Sequence, residues 1–164
     1  DGRWRSVAYN IADHYGRGGK TLDDGCAKGF LVHDLLPYTN AFGVDVSRYA
    51  VVETPHRGAV GRLHLASADA LPFPDRSFDL VVSINTLHNL PRVRLIKALR
   101  EMRRVSRGGM FVVVDSYRTP AERAAFEDWV LTAETHGPPE FWLALFAEAG
   151  YEGDYCWTTV EAGE

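Results

Sequence analysis

The chain has 164 residues, 46% of them hydrophobic and 24% charged, which supplies apolar material for one core and too little length for two catalytic domains. Eighteen Lys and Arg against 22 Asp and Glu give a formal net charge of -4, which works against general binding of nucleic acid or of anionic membrane. No run approaches the ~18 to 20 apolar residues that span a bilayer, and two cysteines, Cys26 and Cys156, stand far apart in apolar stretches, the pattern of buried thiols in a reducing, cytoplasmic compartment.

In chain order, Trp4, Val7, Ile11 and Tyr15 recur at helical spacing and predict a short amphipathic helix closed by Gly16, Gly18 and Gly19. Thr21-Leu22-Asp23 is a short strand, followed by a glycine turn and a helix carrying Phe30, Leu31, Asp34 and Leu35, which Pro37 stops. The pattern then repeats. Ala41-Phe42-Gly43-Val44-Asp45 is a second strand, and Ser47 caps a helix that runs toward Glu53 before Pro55 breaks it. Residues 63–66 form a third strand, 78–84 a fourth and 110–115 a fifth, the last two apolar enough for burial on both faces. Between them a helix through Val93, Ile96 and Leu99 ends at Gly108-Gly109.

Beyond the fifth strand, helices are expected over residues 121–131 and 138–149, Gly150 capping the second, and a last strand over 155–160. The five residues 131–135 leave a seventh strand open. Strands alternating with helices mean parallel pairing through right-handed crossovers. The fold class is therefore α/β, a doubly wound, mostly parallel sheet of six or seven strands with helices on both faces, in one domain over residues 1–164. The chain begins Asp1-Gly2-Arg3-Trp4, without Met, as a processed product or an excerpt would, and little or no N-terminal substrate cap is expected.

An open sheet of this kind binds ligands beyond the carboxyl ends of its strands. Asp23-Asp24-Gly25-Cys26-Ala27-Lys28-Gly29 lies there, with small residues at 25, 27 and 29 that let a ligand approach the backbone, and with amides expected to point outward. The alternative is a tight turn whose glycines serve only positive φ. A dinucleotide fingerprint would need glycine where Ala27 and Phe30 stand, which disfavours NAD and the oxidoreductase reading, and the loop lacks the GK[ST] ending of a nucleoside triphosphate site. Asp45 ends the second strand 22 residues after Asp23, where a carboxylate can accept from both hydroxyls of a ribose, or else serve the Ser47 turn. Asp69, after the third strand, could accept from an adenine amine.

As a set these segments resemble the class I S-adenosylmethionine-dependent methyltransferases. Thr21-Leu22-Asp23-Asp24-Gly25-Cys26-Ala27-Lys28-Gly29 resembles the family's glycine loop, and Gly43-Val44-Asp45-Val46-Ser47 its ribose-binding segment. Ala68-Asp69-Ala70-Leu71-Pro72-Phe73-Pro74-Asp75-Arg76-Ser77-Phe78-Asp79 resembles its adenine loop, and Arg107-Gly108-Gly109-Met110-Phe111-Val112-Val113-Val114 its glycine approach to strand five. Ser83-Ile84-Asn85-Thr86-Leu87-His88-Asn89-Leu90 is similar to a bacterial methyltransferase-domain group of undefined substrate. Ala27 replaces a usual second glycine, a mild change provided its backbone keeps φ below zero.

The resemblance implies a Rossmann-like fold and S-adenosyl-L-methionine as cofactor, with S-adenosyl-L-homocysteine as product. It assigns the methionine portion to Asp23 and the backbone of Gly25, Cys26, Ala27 and Gly29, the ribose to Asp45 and Val46, and the adenine to Asp69 and Ala70, with Ile84 at the same rim. An acid beside the ammonium and amides beside the carboxylate would suit a zwitterion. Lys28 reads as a solvated first-turn residue before it reads as a carboxylate partner.

Methyl transfer from a sulfonium needs chiefly an aligned acceptor, about 3 to 3.5 Å from the methyl carbon. For a hydroxyl acceptor, His88 is the expected base, with Asn85 and Tyr117 orienting the acceptor at the same rim and Arg118 beside them; a purely structural His88 is an even alternative. His14, His33, His56, His64 and His136 show no metal-ligand spacing, so no metal is expected. Phe126, Trp129, Phe141, Trp142 and Phe146 read as core and only secondarily as a substrate wall. Arg92, Arg94, Arg100, Arg103, Arg104 and Arg107 read as a hydrated outer face. The expected activity is methyl transfer to a small-molecule acceptor, a sugar or secondary-metabolite hydroxyl among the candidates, with no nucleic-acid or membrane partner. A noncatalytic binding module of the same fold is the alternative. The oligomeric state stays open, a homodimer being one option.

Overall fold

The computed structural model describes residues 2–159. Six strands form one sheet in the order β3-β2-β1-β4-β5-β6, every pairing parallel. They are β1 Lys20–Asp24, β2 Asn40–Asp45, β3 Leu63–Leu65, β4 Phe78–Ile84, β5 Ser106–Asp115 and β6 Asp154–Thr158. The helices are α1 Arg5–Tyr15, α2 Phe30–Leu35, α3 Arg48–Val52, α4 Arg92–Val105, α5 Pro120–Trp129 and α6 Pro139–Ala149. This is the doubly wound α/β fold the apolar runs predict, with the smaller of the two expected strand counts. The stretch 131–135 is not a strand: the amides of Glu134 and Thr135 instead donate to the His88 carbonyl at 2.9 and 3.0 Å. Val160, expected in the last strand, lies outside the described residues.

Each sheet face carries its own core, because side chains alternate along a strand. Leu22, Val44, Val81, Val112 and Val114 pack with the buried stripe of α4 (Leu95, Leu99, Met102) and with Trp142 and Phe146 of α6. On the opposite face Ala41, Leu80 and Val82 pack with Ala8 and Ile11 of α1 and with Leu31, Val32 and Leu35 of α2. Local chemistry sets the helix ends. The Ser47 hydroxyl accepts from the Ala50 amide and caps α3; the Thr119 hydroxyl accepts from Glu122 and caps α5, with Pro120 at its first position; Gly150 closes α6 at φ +70°.

Three local expectations are corrected. Gly108 and Gly109 do not end α4, which stops at Val105; they lie inside β5, where a Cβ on Gly108 would overlap the Asp79 carbonyl at a register shift between β4 and β5. Close strand approach, and not helix capping, requires that glycine. Cys156 is exposed on the edge strand β6, whereas Cys26 is buried. Trp129 is 60% exposed, while Phe126, Trp142 and Phe146 are buried as expected. The arginine run keeps to the outer face as expected, and most of it is ion-paired there: Arg94 binds Asp69, Arg107 binds Asp79, Arg92 binds Glu148, and Arg104 bridges Glu101 and Asp75.

The sheet order reverses at β1, whose neighbours are β2 and β4, so the crossovers on its two sides leave in opposite directions. Such a switch point opens a crevice beyond the strands' carboxyl ends. Among the described residues no helix is long and apolar enough to cross a membrane, and no group of three or more His, Cys, Asp or Glu could hold a metal ion.

Candidate functional site

A cavity of about 460 Å3 fills that crevice. From the expected cofactor set it is lined by Asp23, Gly25, Cys26, Ala27, Asp45, Val46 and Ile84, and Asn85 joins them from the end of β4. Gly29 sits behind the loop as the left-handed residue that starts α2, at φ +75°. Asp69 and Ala70 are not in the lining. The Asp69 carboxylate is bound by Arg94 at 2.8 and 3.0 Å and accepts from the Ser67 hydroxyl, contacts that hold its carboxyl well below the ordinary range. The group expected to meet an adenine amine is thus engaged within the protein.

The loop after β1 departs from its expected form in two ways. Its amides do not all point outward: those of Gly25 and Cys26 both donate to the Val44 carbonyl at 2.9 Å, that of Gly29 to the Cys26 carbonyl at 2.8 Å, and that of Ala27 to Asp45 Oδ2 at 2.8 Å. Nor does Ala27 keep φ below zero; it stands at +45°, in the left-handed region that suits glycine. Gly25 stands at φ +89°, the positive φ that the tight-turn reading calls for. Its conformation requires glycine, and a Cβ there would overlap the Thr86 side chain, which closes over it from the end of β4.

Asp45 serves the Ser47 turn and also faces the cavity. Its Oδ1 accepts from the Ser47 amide and its Oδ2 from Ala27, each at 2.8 Å, so the carboxylate is locked against the loop while it lines the cavity. Each oxygen keeps further acceptor capacity. Asp23 is 5% exposed, and burial, aided by the charge of Asp45, raises its carboxyl to about 7. Two acids thus converge on one crevice, and a cation settling there would restore the charge of Asp23. Burial and the neighbouring acids push the Cys26 thiol far up, so it packs as a small apolar group against Gly43. The Lys28 ammonium lies 4.3 Å from the Tyr49 ring centroid and hydrogen-bonds its hydroxyl, away from a role at a carboxylate.

Sequence reasoning missed four kinds of residue. Trp4 lines the cavity from the residue preceding α1, and Phe30 and Leu31 line it from α2. Thr86, Asn89 and Leu90 line it from the loop after β4, a segment from which only Asn85 and His88 were singled out. Asp24, passed over beside Asp23, is 1% exposed on the opposite face of β1, has no partner for either carboxyl oxygen among the described residues, and is raised by burial to about 8. A charged residue at a strand position of Leu22's parity is a signal that periodicity alone could have flagged.

The expected catalytic residues do not share one space. Asn85, in a left-handed conformation at φ +51°, lines this cavity and also a second one of about 350 Å3 beside it, and its Oδ1 accepts from Thr158. His88 lines only the second cavity and is 5% exposed. Its Nδ1 accepts from the Asp115 amide at 3.2 Å and its Nε2 lies 3.4 Å from Asp115 Oδ2. That arrangement requires the proton on Nε2, and burial lowers the ring's pKa to about 4. Tyr117 lies outside both cavities and contacts His136 Nδ1 at 3.4 Å, and Arg118 donates its amide to Glu122 in the α5 cap.

Comparison with known proteins gives this geometry a family. A family model described as a methyltransferase domain matches residues 22–114, the span from β1 to β5. An uncharacterised methyltransferase, YcgJ of Bacillus subtilis, is 34% identical over 105 residues, covering 60% of this chain and 41% of its own. The ubiquinone/menaquinone biosynthesis C-methyltransferase UbiE of Geobacter sulfurreducens is 30% identical over 134 residues, covering 75% of this chain and 51% of its own. Among solved structures, a methyltransferase from Bacillus halodurans superposes with a TM-score of 0.72 at 17% identity, over 89% of this chain and 68% of that one, a likeness of fold. The chain spans about half or less of the length of these curated relatives. With the family match covering more than half of the chain and the parallel sheet and its crevice in place, the chain belongs to the methyltransferase domain family, among the class I S-adenosylmethionine-dependent methyltransferases of Rossmann-like fold.

Proposed function

We propose that this domain binds S-adenosylmethionine in the crevice at the end of β1 and transfers its methyl group to a small-molecule acceptor. The observation that carries the reading is the convergence of Asp23 and Asp45, from adjacent strand ends, on one cavity whose floor is the Gly25 turn. When bound, S-adenosylmethionine supplies a methyl group on a cationic sulfonium. Asp23 would pair with the ammonium of its methionine portion, and a carboxyl raised by burial is one that gains most from such a partner. Asp45, held by Ala27 and Ser47, would accept from the ribose hydroxyls without having to reorient. Val46, 75% exposed at the rim, offers an apolar surface for the base, and Asn85 stands where this cavity meets the second one.

The geometry supports a positioning role for His88 over that of a base. With Nδ1 accepting from the backbone and Nε2 protonated, neither nitrogen holds a free lone pair for an acceptor's proton. The relatives named above include a C-methyltransferase of quinone biosynthesis, so the acceptor atom is not inherited with the fold. We take the acceptor to be a small molecule and the domain to act without nucleic acid. Calorimetry with S-adenosylhomocysteine, followed by incubation with methyl-labelled S-adenosylmethionine and a fractionated metabolite extract, tests the reading. Binding with labelled product, both lost in Asp45→Ala, is expected; absence of S-adenosylhomocysteine binding to the folded chain overturns it.

A further inference from the structure

The second cavity has a chemistry of its own. Asp115, at the carboxyl end of β5, is 3% exposed and lines it; its Oδ2 faces His88 Nε2, while its Oδ1 has no hydrogen-bond partner among the described residues. A buried carboxyl oxygen without a donor is costly. His88 accepts the Asp115 amide on Nδ1 and its Nε2 lies 3.4 Å from Oδ2, which holds Asp115 at the cavity wall and leaves Oδ1 without a donor among the described residues. Across from this polar floor the chain leaving α5 presents large apolar side chains: Trp129 is 60% and Leu131 95% exposed, with Val130 between them. Exposed apolar side chains at the edge of a cavity mark a ligand-binding surface. The volume, about 350 Å3, is that of a site for a compact organic molecule.

We propose that this cavity is the acceptor site, and that it takes an aromatic or alicyclic compound whose hydroxyl donates to Asp115 and whose ring lies against Trp129 and Leu131. The inference rests on the methyltransferase reading, since it is Asn85 and Asn89, shared by both cavities, that would bring such a ring to the cofactor crevice. The indole supplies a flat apolar face, which a ring fills better than a flexible chain. Arginine and lysine are absent from the lining, so a phosphorylated acceptor would find no counter-charge there. Asp115 acts here as a specificity residue: it reads one donor, and His88 is the positioning residue that aims it.

The probe is 4-methylphenol, with its methyl ether as the donor-free counterpart, titrated into the 15N-labelled chain. Saturable shifts at the amides of Asn85, Asn89 and residues 129–132, about tenfold weaker for the ether, are expected. Leu131→Glu, at a solvent-facing position, should weaken 4-methylphenol by at least fivefold with unchanged thermal stability, and Asp115→Ala should erase the preference for the phenol over the ether. Absence of saturable shifts at these amides, equal binding of phenol and ether, or unaltered affinity in Leu131→Glu would overturn the assignment. S-adenosylhomocysteine titrated in parallel separates the two readings. Cofactor bound without phenol sinks only this inference, whereas phenol bound without cofactor sinks the activity proposed above and leaves the pocket.

Discussion

The amide of Ala27 donates to Oδ2 of Asp45 at 2.8 Å, across 18 residues of sequence and two adjacent strand ends. The bond explains why the loop after β1 tolerates an alanine in a left-handed conformation: Asp45 holds the amide in place, and the neighbouring Gly25 and Cys26 amides are held by Val44. Cofactor loop and acidic strand end are in this sense one structural unit.

Ala27→Gly should stabilise the domain. A non-glycine residue at φ +45° costs roughly 1 to 2 kcal/mol, and glycine's greater freedom in the unfolded chain returns about 0.4 to 1 of that. The expected outcome is a rise of a few degrees in the thermal midpoint, seen by circular dichroism, with affinity for S-adenosylhomocysteine maintained. A lower midpoint would mean that the alanine methyl makes a contact worth more than the strain.

Gly25→Ala should do the reverse and more severely, since the added Cβ meets both a forbidden backbone region and the Thr86 side chain. Loss of S-adenosylhomocysteine binding by at least tenfold in calorimetry is expected, together with a lower midpoint. Adding Thr86→Gly should recover part of the stability and not all, because the overlap is removed while φ stays at +89°.

Asp24 makes stability depend on pH in a defined direction. Its folded carboxyl is raised from 3.8 to about 8, so the folded state holds the proton more tightly than the unfolded chain does. The contribution to stability is full below pH 4 and is lost as pH rises toward 8, at up to about 1.4 kcal/mol per pH unit. Asp23, raised to about 7, contributes in the same sense over a narrower window. Urea unfolding of the wild type and of Asp24→Asn between pH 4 and 9 should therefore diverge as pH rises, the variant gaining relative stability. Parallel curves would show that the buried carboxyl finds a partner when it ionises.

His88 should remain a neutral Nε2–H tautomer from pH 5 to 8, since burial lowers it to about 4 and Nδ1 accepts from the Asp115 amide. Long-range proton-nitrogen spectra of the imidazole check this directly, and a doubly protonated ring at pH 6 would contradict it. His88→Ala should cost roughly 1 to 3 kcal/mol by urea unfolding, because the buried Asp115 amide loses its acceptor.

Most of the architecture was legible from period and punctuation. The strands β2 and β4 read as apolar runs, β1 as the short Thr21-Leu22-Asp23 before a glycine turn, and the Ser47 and Gly150 caps read from their residue types. Helix ends were less secure where one residue type serves two purposes. Gly108 could cap a helix or admit a neighbouring strand, and only the overlap with the Asp79 carbonyl distinguishes the two.

The candidate site divided along the same line. The amino-acid order alone placed Asp23, Gly25, Asp45 and Ile84 at strand ends of a parallel sheet, because hydrophobic period, crossover handedness and the switch point are all properties of chain order, and together these bring the residues to one crevice. Only the tertiary structure decided what each side chain touches once it is there. Asp69 turned to Arg94, His88 turned to Asp115, Trp4 arrived from the residue before α1, and Tyr117 fell outside. Those outcomes depend on competition among partners distant in sequence, settled by distances of a few tenths of an ångström, and no periodicity along a single chain encodes them.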